Sequence, residues 1–331
     1  MASLIDPRIK LRHLQAFIEV ARQKSVMRAA NVLHISQPAV TKTVRELEDV
    51  LGVALFEREG RGIRPTRLGD IFLRHAGATM AVLRQAVDAV SREAAHTDPP
   101  VRIGALPTVS ARIMPEAMTH FLAEAAQAPI KIVTGENATL LEQLRQGDLD
   151  LVVGRLATPE KMTGLSFEHL YSEQVVFVVR PGHRLLSGKA DLFTELSNYP
   201  ILMPTRNSVI RPIVEQFLIA QGVAMPKTQI ETVSDSFGRA YVRMSDAIWI
   251  ISEGVVVDDV AAGALAILPF NTSDTSGPVG LTMRTDTAVF TSLALMIEAI
   301  RRAATMGGWR DLNQDRLPGI KPLKWDYLSD E

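Results

Sequence analysis

Residues 25–45, SVMRAANVLHISQPAVTKTVR, confine two short helices to a tight turn. Ser36 is a strong N-cap because its hydroxyl accepts an orphan first-turn N–H, and Pro38 is tolerated there because no intrahelical N–H is lost. A helix therefore starts at this point. Before it, Val26, Ala29, Ala30 and Leu33 recur at helical spacing; after it, Ala39 or Val40, Val44, Leu47 and Leu51 do the same. The pattern predicts two amphipathic helices meeting across His34-Ile35, a helix-turn-helix. The second helix turns Gln37, Thr41, Lys42 and Arg45 outward. These amide, hydroxyl and cationic groups suit base edges and phosphates in a major groove. An ordinary solvated helix pair is the alternative reading of this segment.

Leu11, Leu14, Phe17, Ile18 and Ala21 form a helical stripe ahead of this pair, which predicts a three-helix core ending near Gly52. Two short extended runs follow, Ala54–Arg58 and Ile63–Thr66, around Gly60-Arg61-Gly62. They read as a β-hairpin wing with Arg58, Arg61 and Arg64 available to phosphates. A nucleotide-binding loop is rejected, because no G-x-G-x-x-G or G-K-[ST] pattern follows a hydrophobic strand here. From Thr66, as cap, to about Ala94 the spacing predicts a long helix. Leu68, Phe72, Ala76, Met80, Leu83, Val87 and Val90 alternate by three and four along it, a coiled-coil seam. A second copy of the same helix is the simplest cover, and a dimer suits paired DNA half-sites.

The net charge of −1 hides an asymmetry. Residues 1–96 hold 15 Lys/Arg against 10 Asp/Glu, whereas residues 97–331 hold 21 against 27. A basic helix-turn-helix unit on an acidic body suits binding to a polyanion through one domain only. With no cysteine, disulfides and thiolate metal sites are excluded. No apolar run approaches the roughly 18 residues a membrane span needs, and no basic n-region precedes an apolar stretch, so the expected location is the cytoplasm.

Beyond Asp98-Pro99-Pro100 the pattern changes to strands alternating with helices, which implies parallel βαβ units. Strands are predicted at Val101–Leu106, Ile130–Thr134, Leu149–Val153, Val175–Val179, Pro200–Met203, Thr228–Val233, Ile248–Ile251, Ile267–Pro269 and Val279–Met283. Helices are predicted at Ile113–Ala126, Leu140–Gln146, Ile213–Gln221, Ser236–Met244 and Ala288–Ala303. Two α/β lobes joined by crossovers near 167–175 and 270–280 would enclose a cleft, where small ligands bind at strand carboxyl ends. The expected fold class is α/β, and the expected division is 1–66 (winged helix-turn-helix), 67–97 (linker helix) and 98–305 (two-lobed effector domain). Lobe I comprises about 98–168 and 276–305, and lobe II about 169–275. The tail 306–331 has no periodicity, although Trp309 and Trp325 offer docking groups.

Taken together, these motifs resemble the LysR-type transcriptional regulators from Leu11 to about Ala303. The resemblance rests on Ser25–Val44, Leu55-Phe56-Glu57-Arg58, Pro65-Thr66-x-x-Gly69 and Gly147-x-Leu149-Asp150-Leu151. Asp6–Leu14 and Arg74-His75-Ala76-Gly77 look most like the activators of protocatechuate breakdown, with galactose-type sugar-linked regulators as near relatives. The resemblance implies a homodimer or homotetramer that binds double-stranded promoter DNA, senses a metabolite between lobes like those of periplasmic binding proteins, and contacts RNA polymerase. For DNA it points to Arg28, Ser36, Gln37, Pro38, Thr41, Lys42, Arg45, Arg58, Arg61, Arg64 and Thr66.

In the cleft, Gly154-Arg155-Leu156 puts a guanidinium at a strand's carboxyl end. The same tripeptide in muconate- and benzoate-sensing relatives holds an effector carboxylate, so the resemblance makes Arg155 the first effector contact. Thr108 and Ser110, on the loop after the first strand, offer hydroxyls to an anion or simply cap a helix. Glu136 follows the second strand, where family members often carry a hydroxyl residue. In lobe II, Thr205, Arg206, Asn207 and Arg211 follow the strand ending at Met203, and Arg206 and Arg211 are either further cations for a di- or tricarboxylate or surface groups.

Nothing resembles a catalytic set: no G-x-S-x-G elbow and no H-E-x-x-H pair occurs, and the seven histidines are scattered. Neither an enzyme nor a bound metal or cofactor is expected. Asp148 and Asp150 fall at a strand entry, where solvated or capping roles are commoner than paired-carboxylate chemistry. The leading reading is a ligand-responsive DNA-binding regulator; a solute-binding module is the alternative, and it would need export.

Overall fold

The computed structural model describes residues 6–60, 62–95, 99–124, 128–188, 192–223, 228–287 and 289–306. Arg61, most of the tail with Trp309 and Trp325, and the terminal residues Ala126 and Ala288 of two predicted helices lie outside the described residues.

Three helices open the chain: α1 (Leu11–Gln23), α2 (Val26–Leu33) and α3 (Gln37–Leu51). The turn between α2 and α3 is made by His34 in the left-handed region (φ 54°), whose N–H closes onto Ala30 and Asn31. Gly52 (φ 68°) ends α3 at the position where the hydrophobic repeat stops. Strands β1 (Phe56–Glu59) and β2 (Gly62–Pro65) then pair antiparallel with Phe56 opposite Pro65, forming the wing. Phe17 of α1 is fully buried and meets Phe56 of the wing at 5.0 Å and Phe72 of the next helix at 5.1 Å between ring centroids. One aromatic side chain thus fastens core, wing and linker together.

The linker helix α4 runs from Arg67 to Ala95. Thr66 caps it, its hydroxyl accepting from the Gly69 N–H at 3.0 Å and donating to the Ala54 carbonyl at 2.9 Å. Gly69 is required, because a Cβ there would overlap the Leu55 carbonyl. The predicted seam divides along the helix. Phe72 and Ala76 pack on the chain's own residues, whereas Leu83, Val87 and Val90 are 40%, 57% and 73% exposed.

Two five-stranded sheets form the remainder. The elements in order are β3 (Val101–Ala105), α5 (Pro107–Ala123), β4 (Ile130–Thr134), α6 (Asn137–Arg145), β5 (Leu151–Arg155), β6 (Leu165–Glu173), β7 (Val175–Val179), α7 (Leu192–Glu195) and β8 (Ile201–Met203). Then come α8 (Arg211–Ala220), β9 (Gln229–Glu231), α9 (Asp235–Met244), β10 (Ile248–Ser252), α10 (Val257–Ala261), β11 (Ala266–Ile267), β12 (Gly277–Arg284) and α11 (Thr291–Met306). Lobe I has strand order β4-β3-β5-β12-β6 and lobe II β11-β7-β10-β8-β9.

Three expectations need correction. Val101–Leu106 is followed directly by α5, six residues earlier than the predicted start at Ile113: Pro107 occupies the first helical turn, so Thr108 and Ser110 are helical and not on a loop. Residues 167–175 are mostly strand; β6 fills Leu165–Glu173 and leaves Gln174 alone between the lobes. The strands that enter or leave across the lobes, β7 and β12, run antiparallel to their neighbours β10 and β5. The chain returns from the other lobe along them, and hydrophobic periodicity carries no information on strand direction.

Candidate nucleic-acid interface and effector cleft

Ser36 caps α3, its Oγ accepting from the Ala39 N–H at 3.4 Å. Val40, Val44 and Leu47 anchor the opposite face, so Gln37, Pro38, Thr41, Lys42 and Arg45 line one side of a shallow groove. All but the half-buried Thr41 are exposed. Glu46 adjoins them but is engaged from behind: Arg12 donates to it at 3.1 Å, and the ring of buried His13 lies 3.2 Å away. The hydrogen bond with His13 holds its carboxyl below the usual range, with Arg12 and Lys42 acting in the same direction.

The other predicted DNA contacts differ in their engagement. Arg58 is exposed on the wing and makes no hydrogen bond or ion pair among the described residues. Arg64 donates to Glu57 across the hairpin at 2.7 Å, and Arg28 donates to the Gln23 carbonyl at the end of α1 at 2.6 Å. Thr66 serves the linker cap. Glu48, which sequence reasoning missed, accepts the Leu55 and Phe56 N–H groups at 2.7 and 3.2 Å and fixes the wing's entry. Its only signal is a carboxylate shortly before a turn.

A cavity of about 200 Å³ lies between the lobes. Lobe I lines it with Pro107, Thr108, Thr134, Glu136, Asn137 and Arg155; lobe II supplies Thr205, Ser208, Thr232, Ser234, Asp235, Trp249 and Ser252. Apart from Trp249, near the start of β10, the sheets deliver these residues at or just after the carboxyl ends of β3, β4, β5, β8, β9 and β10. Helices α5 and α6 both begin at this cavity without a side-chain cap. Their first-turn N–H groups are available to an anion, and their dipoles favour one. Helix α9 is different. Ser234 caps it, accepting from the Phe237 N–H at 3.2 Å, and its Asp235 carboxyl is raised by burial despite nearby Arg239.

A hydrogen bond crosses the cleft from Thr205 Oγ to Glu136 Oε1 at 2.6 Å. Arg155 borders the cavity but is 6% exposed, and its guanidinium turns to the backbone, donating to the Thr275 carbonyl at 3.3 Å and to the Glu173 carbonyl. Those two carbonyls belong to the two crossovers between the lobes. Beside it the Glu173 carboxyl is pushed up to about 7 by burial, against the pull of Arg155 and of the Gly254 N–H, which it accepts at 2.7 Å.

The profile of the bacterial regulatory helix-turn-helix proteins of the LysR family matches residues 11–70, and that of the LysR substrate-binding domain matches residues 94–305. The chain is 71% identical over 301 residues to the HTH-type transcriptional regulator PcaQ of Agrobacterium fabrum, covering 91% of this chain and 97% of that one. This chain is a LysR-type transcriptional regulator.

Solved structures share its fold. Full-length LysG of Corynebacterium glutamicum with bound effector Arg superposes with TM-score 0.57 at 18% identity, covering 90% of this chain and 99% of that one. A full-length OxyR variant of Pseudomonas aeruginosa gives 0.56 at 24%, covering 90% and 95%. Within this LysR-type regulator the cleft residues named from sequence separate into two groups. Thr108, Glu136, Arg155 and Thr205 share the cavity, whereas Ser110, Arg206, Asn207 and Arg211 do not line it. Arg206 projects into solvent, 86% exposed and 3.7 Å from Glu231. Arg211 is buried in its own lobe, where it donates to the Pro204 carbonyl at 2.8 Å and to Glu215 at 2.6 Å and holds the turn after β8. Ser208, in the run after Met203 that the sequence points to, also lines the cavity, whereas the hydroxyls of Thr134, Thr232 and Ser252 were missed; the strand-end rule applied to every strand of the two sheets would have found them. Among the described residues no helix is long and apolar enough to cross a membrane, and no group of three or more His, Asp or Glu is placed to hold a metal.

Proposed function

We propose that this LysR-type regulator is an activator of genes for aromatic-acid (protocatechuate) breakdown and responds to a small carboxylate. The carboxylated muconate formed by opening the protocatechuate ring is the leading effector. The observation that carries the reading is the pair of uncapped helix N-termini, α5 and α6, opening on one hydroxyl-lined cavity. In this reading a carboxylate takes the first-turn N–H groups of both helices, Thr108 and Thr205 add hydrogen bonds from the two lobes, and Arg155 acts from the rim. Contacts from both lobes favour one lobe arrangement over another, and only such differential affinity moves a conformational equilibrium. The regulator works from the cytoplasm as a dimer of the linker helices, paired into a tetramer, with RNA polymerase as the partner at the promoter.

Glu136 and Asp235 on the same cavity favour a second reading, a polyhydroxylated effector such as a sugar, since carboxylates accept hydroxyl protons well. Calorimetry on the full chain separates the two. Saturable binding of the carboxylated muconate, together with a changed gel shift of the upstream intergenic DNA, is expected. Binding of uncharged sugars alone overturns the carboxylate reading.

On the DNA side, Gln37 and Pro38 read bases and Thr41, Lys42, Arg45 and Arg58 hold phosphates. Gln37→Ala is expected to lower discrimination between operator and random DNA by about 1–3 kcal/mol. Lys42→Ala is expected to weaken both alike and reduce the salt slope by about one. A salt titration of both variants against both DNAs checks this; an unchanged operator-to-random ratio in Gln37→Ala removes the base-reading assignment.

A further inference from the structure

Helix α6 touches the effector cleft at one end and the DNA-binding half of the molecule at the other. At its N-terminus Glu136 is the N-cap residue, bonded across the cleft to Thr205, and Asn137 lines the cavity while its side chain donates to the Arg155 carbonyl at 3.3 Å. Nine residues at about 1.5 Å each carry the helix about 13 Å to its far end. There Gly147 (φ 71°) turns the chain, and Asp148 presents its carboxylate to the N-terminal half. Arg22, in the last turn of α1, donates to one oxygen of Asp148; Arg84 of the linker helix donates to the other at 2.8 Å and to the Gly147 carbonyl at 3.0 Å.

Packing holds this junction closely. A Cβ on Gly147 would overlap Ala81 of the linker, and one on Gly77 would stand 3.2 Å from the Arg145 carbonyl at the last residue of α6. Leu140, Leu141 and Leu144 are buried beneath the helix, and Arg284, itself buried, donates to the Leu144 carbonyl at 2.9 Å. The helix is therefore held by packing from its buried leucines to its C-terminal carbonyls, which opposes local bending. Asp148, placed at a strand entry for solvation or capping on sequence grounds, is instead the one carboxylate among the described residues that both α1 and α4 grip through arginine.

We propose that α6 couples the cleft to DNA binding: a ligand displacing the Glu136–Thr205 hydrogen bond acts on its N-terminal end, and Asp148 passes the change to Arg22 and Arg84. This rests on the cleft being the effector site, as proposed above. The coupling is carried by charge-assisted hydrogen bonds at both ends, so an isosteric amide at either end weakens it while preserving shape.

The test uses the full-length protein, the upstream intergenic DNA and the carboxylated muconate as probe. Asp148→Asn is expected to fold, since Arg22 and Arg84 are each 39% exposed and can be hydrated. It should bind the probe within about twofold of wild type and still bind DNA, yet lose most of the probe-induced change in DNA affinity and bend. Coupling between sites typically spans about 5- to 150-fold, so the loss lies well within measurement. Arg84→Gln should behave alike. A wild-type probe response in both variants overturns the proposal. A second arm needs no ligand: Glu136→Gln should alter DNA affinity in the wild-type background and have a much smaller effect in Asp148→Asn. Equal effects in the two backgrounds, or none in either, overturn the role of α6. If the probe fails to bind wild type, the effector assignment falls, and the ligand-free arm still decides the coupling.

Discussion

Leu83→Asp combined with Val87→Asp is expected to yield monomers that no longer retain operator DNA at concentrations where wild type is fully bound. Both side chains stand outward on α4 at 40% and 57% exposure, one turn apart, with Val90 at 73% continuing the row. In a linker dimer they lie in the seam between the two copies, and each substitution places a carboxylate in that apolar seam. Burying an unpaired charge there costs several kcal/mol, and two positions in two chains exceed what a coiled-coil seam of this length can offset. The N-terminal unit should stay folded, because its core is closed by Phe17, Leu47 and Leu55 without these residues. Light scattering gives mass, circular dichroism gives folding, and gel shift gives DNA retention. An unchanged mass for the folded double variant would assign the assembly to another surface.

Arg155→Met is expected to lower the melting temperature by roughly 10 °C and to abolish the response to the carboxylated muconate. The side chain is 6% exposed, and a Cβ on Gly277 would lie 2.6 Å from its Nη1, so the guanidinium is closely packed on the crossover side. Methionine fills the stem but removes the guanidinium donor from the Thr275 and Glu173 carbonyls and leaves the Glu173 carboxyl with only the weaker cationic pull of Arg112. Removing one partner of such a buried pair costs about 3–5 kcal/mol, and a chain of this size loses about 2–4 °C per kcal/mol. The loss should depend on pH in a definite direction. Glu173 already has its folded pKa raised to about 7 from an unfolded value of 4.5, so it destabilises the fold progressively as pH rises from about 4.5 through 7. Without Arg155 the carboxyl rises further, and the Arg155→Met penalty should be larger at pH 8 than at pH 5. Adding Glu173→Gln should flatten that difference and recover part of the stability. Thermal melts of the three proteins at both pH values decide the matter; identical melts for wild type and Arg155→Met would show that Arg155 does not hold the two crossovers.

What the sequence alone determined is local. The Ser36 cap, the Pro38 tolerance, the wing glycines, the coiled-coil spacing on α4 and the alternation of strands and helices all follow from interactions within a few residues. Those interactions are periodic, so they are visible in one chain, and they led to the helix-turn-helix with a two-lobed α/β body. What required the tertiary structure is which polar groups face each other. Arg155 meets Thr275 across 120 residues, Thr205 meets Glu136 across 69, and Arg22 meets Asp148 across 126. A guanidinium at a strand end satisfies a ligand carboxylate and two backbone carbonyls equally well on paper; only the crossovers folding over it decide which it meets. Likewise Arg206 and Arg211, both following one strand, diverge into solvent and into the lobe's interior because α8 begins at Arg211 and turns it inward. Charge and hydrogen-bonding capacity belong to the residue, but the partner that uses them is set by long-range packing, which no local period encodes.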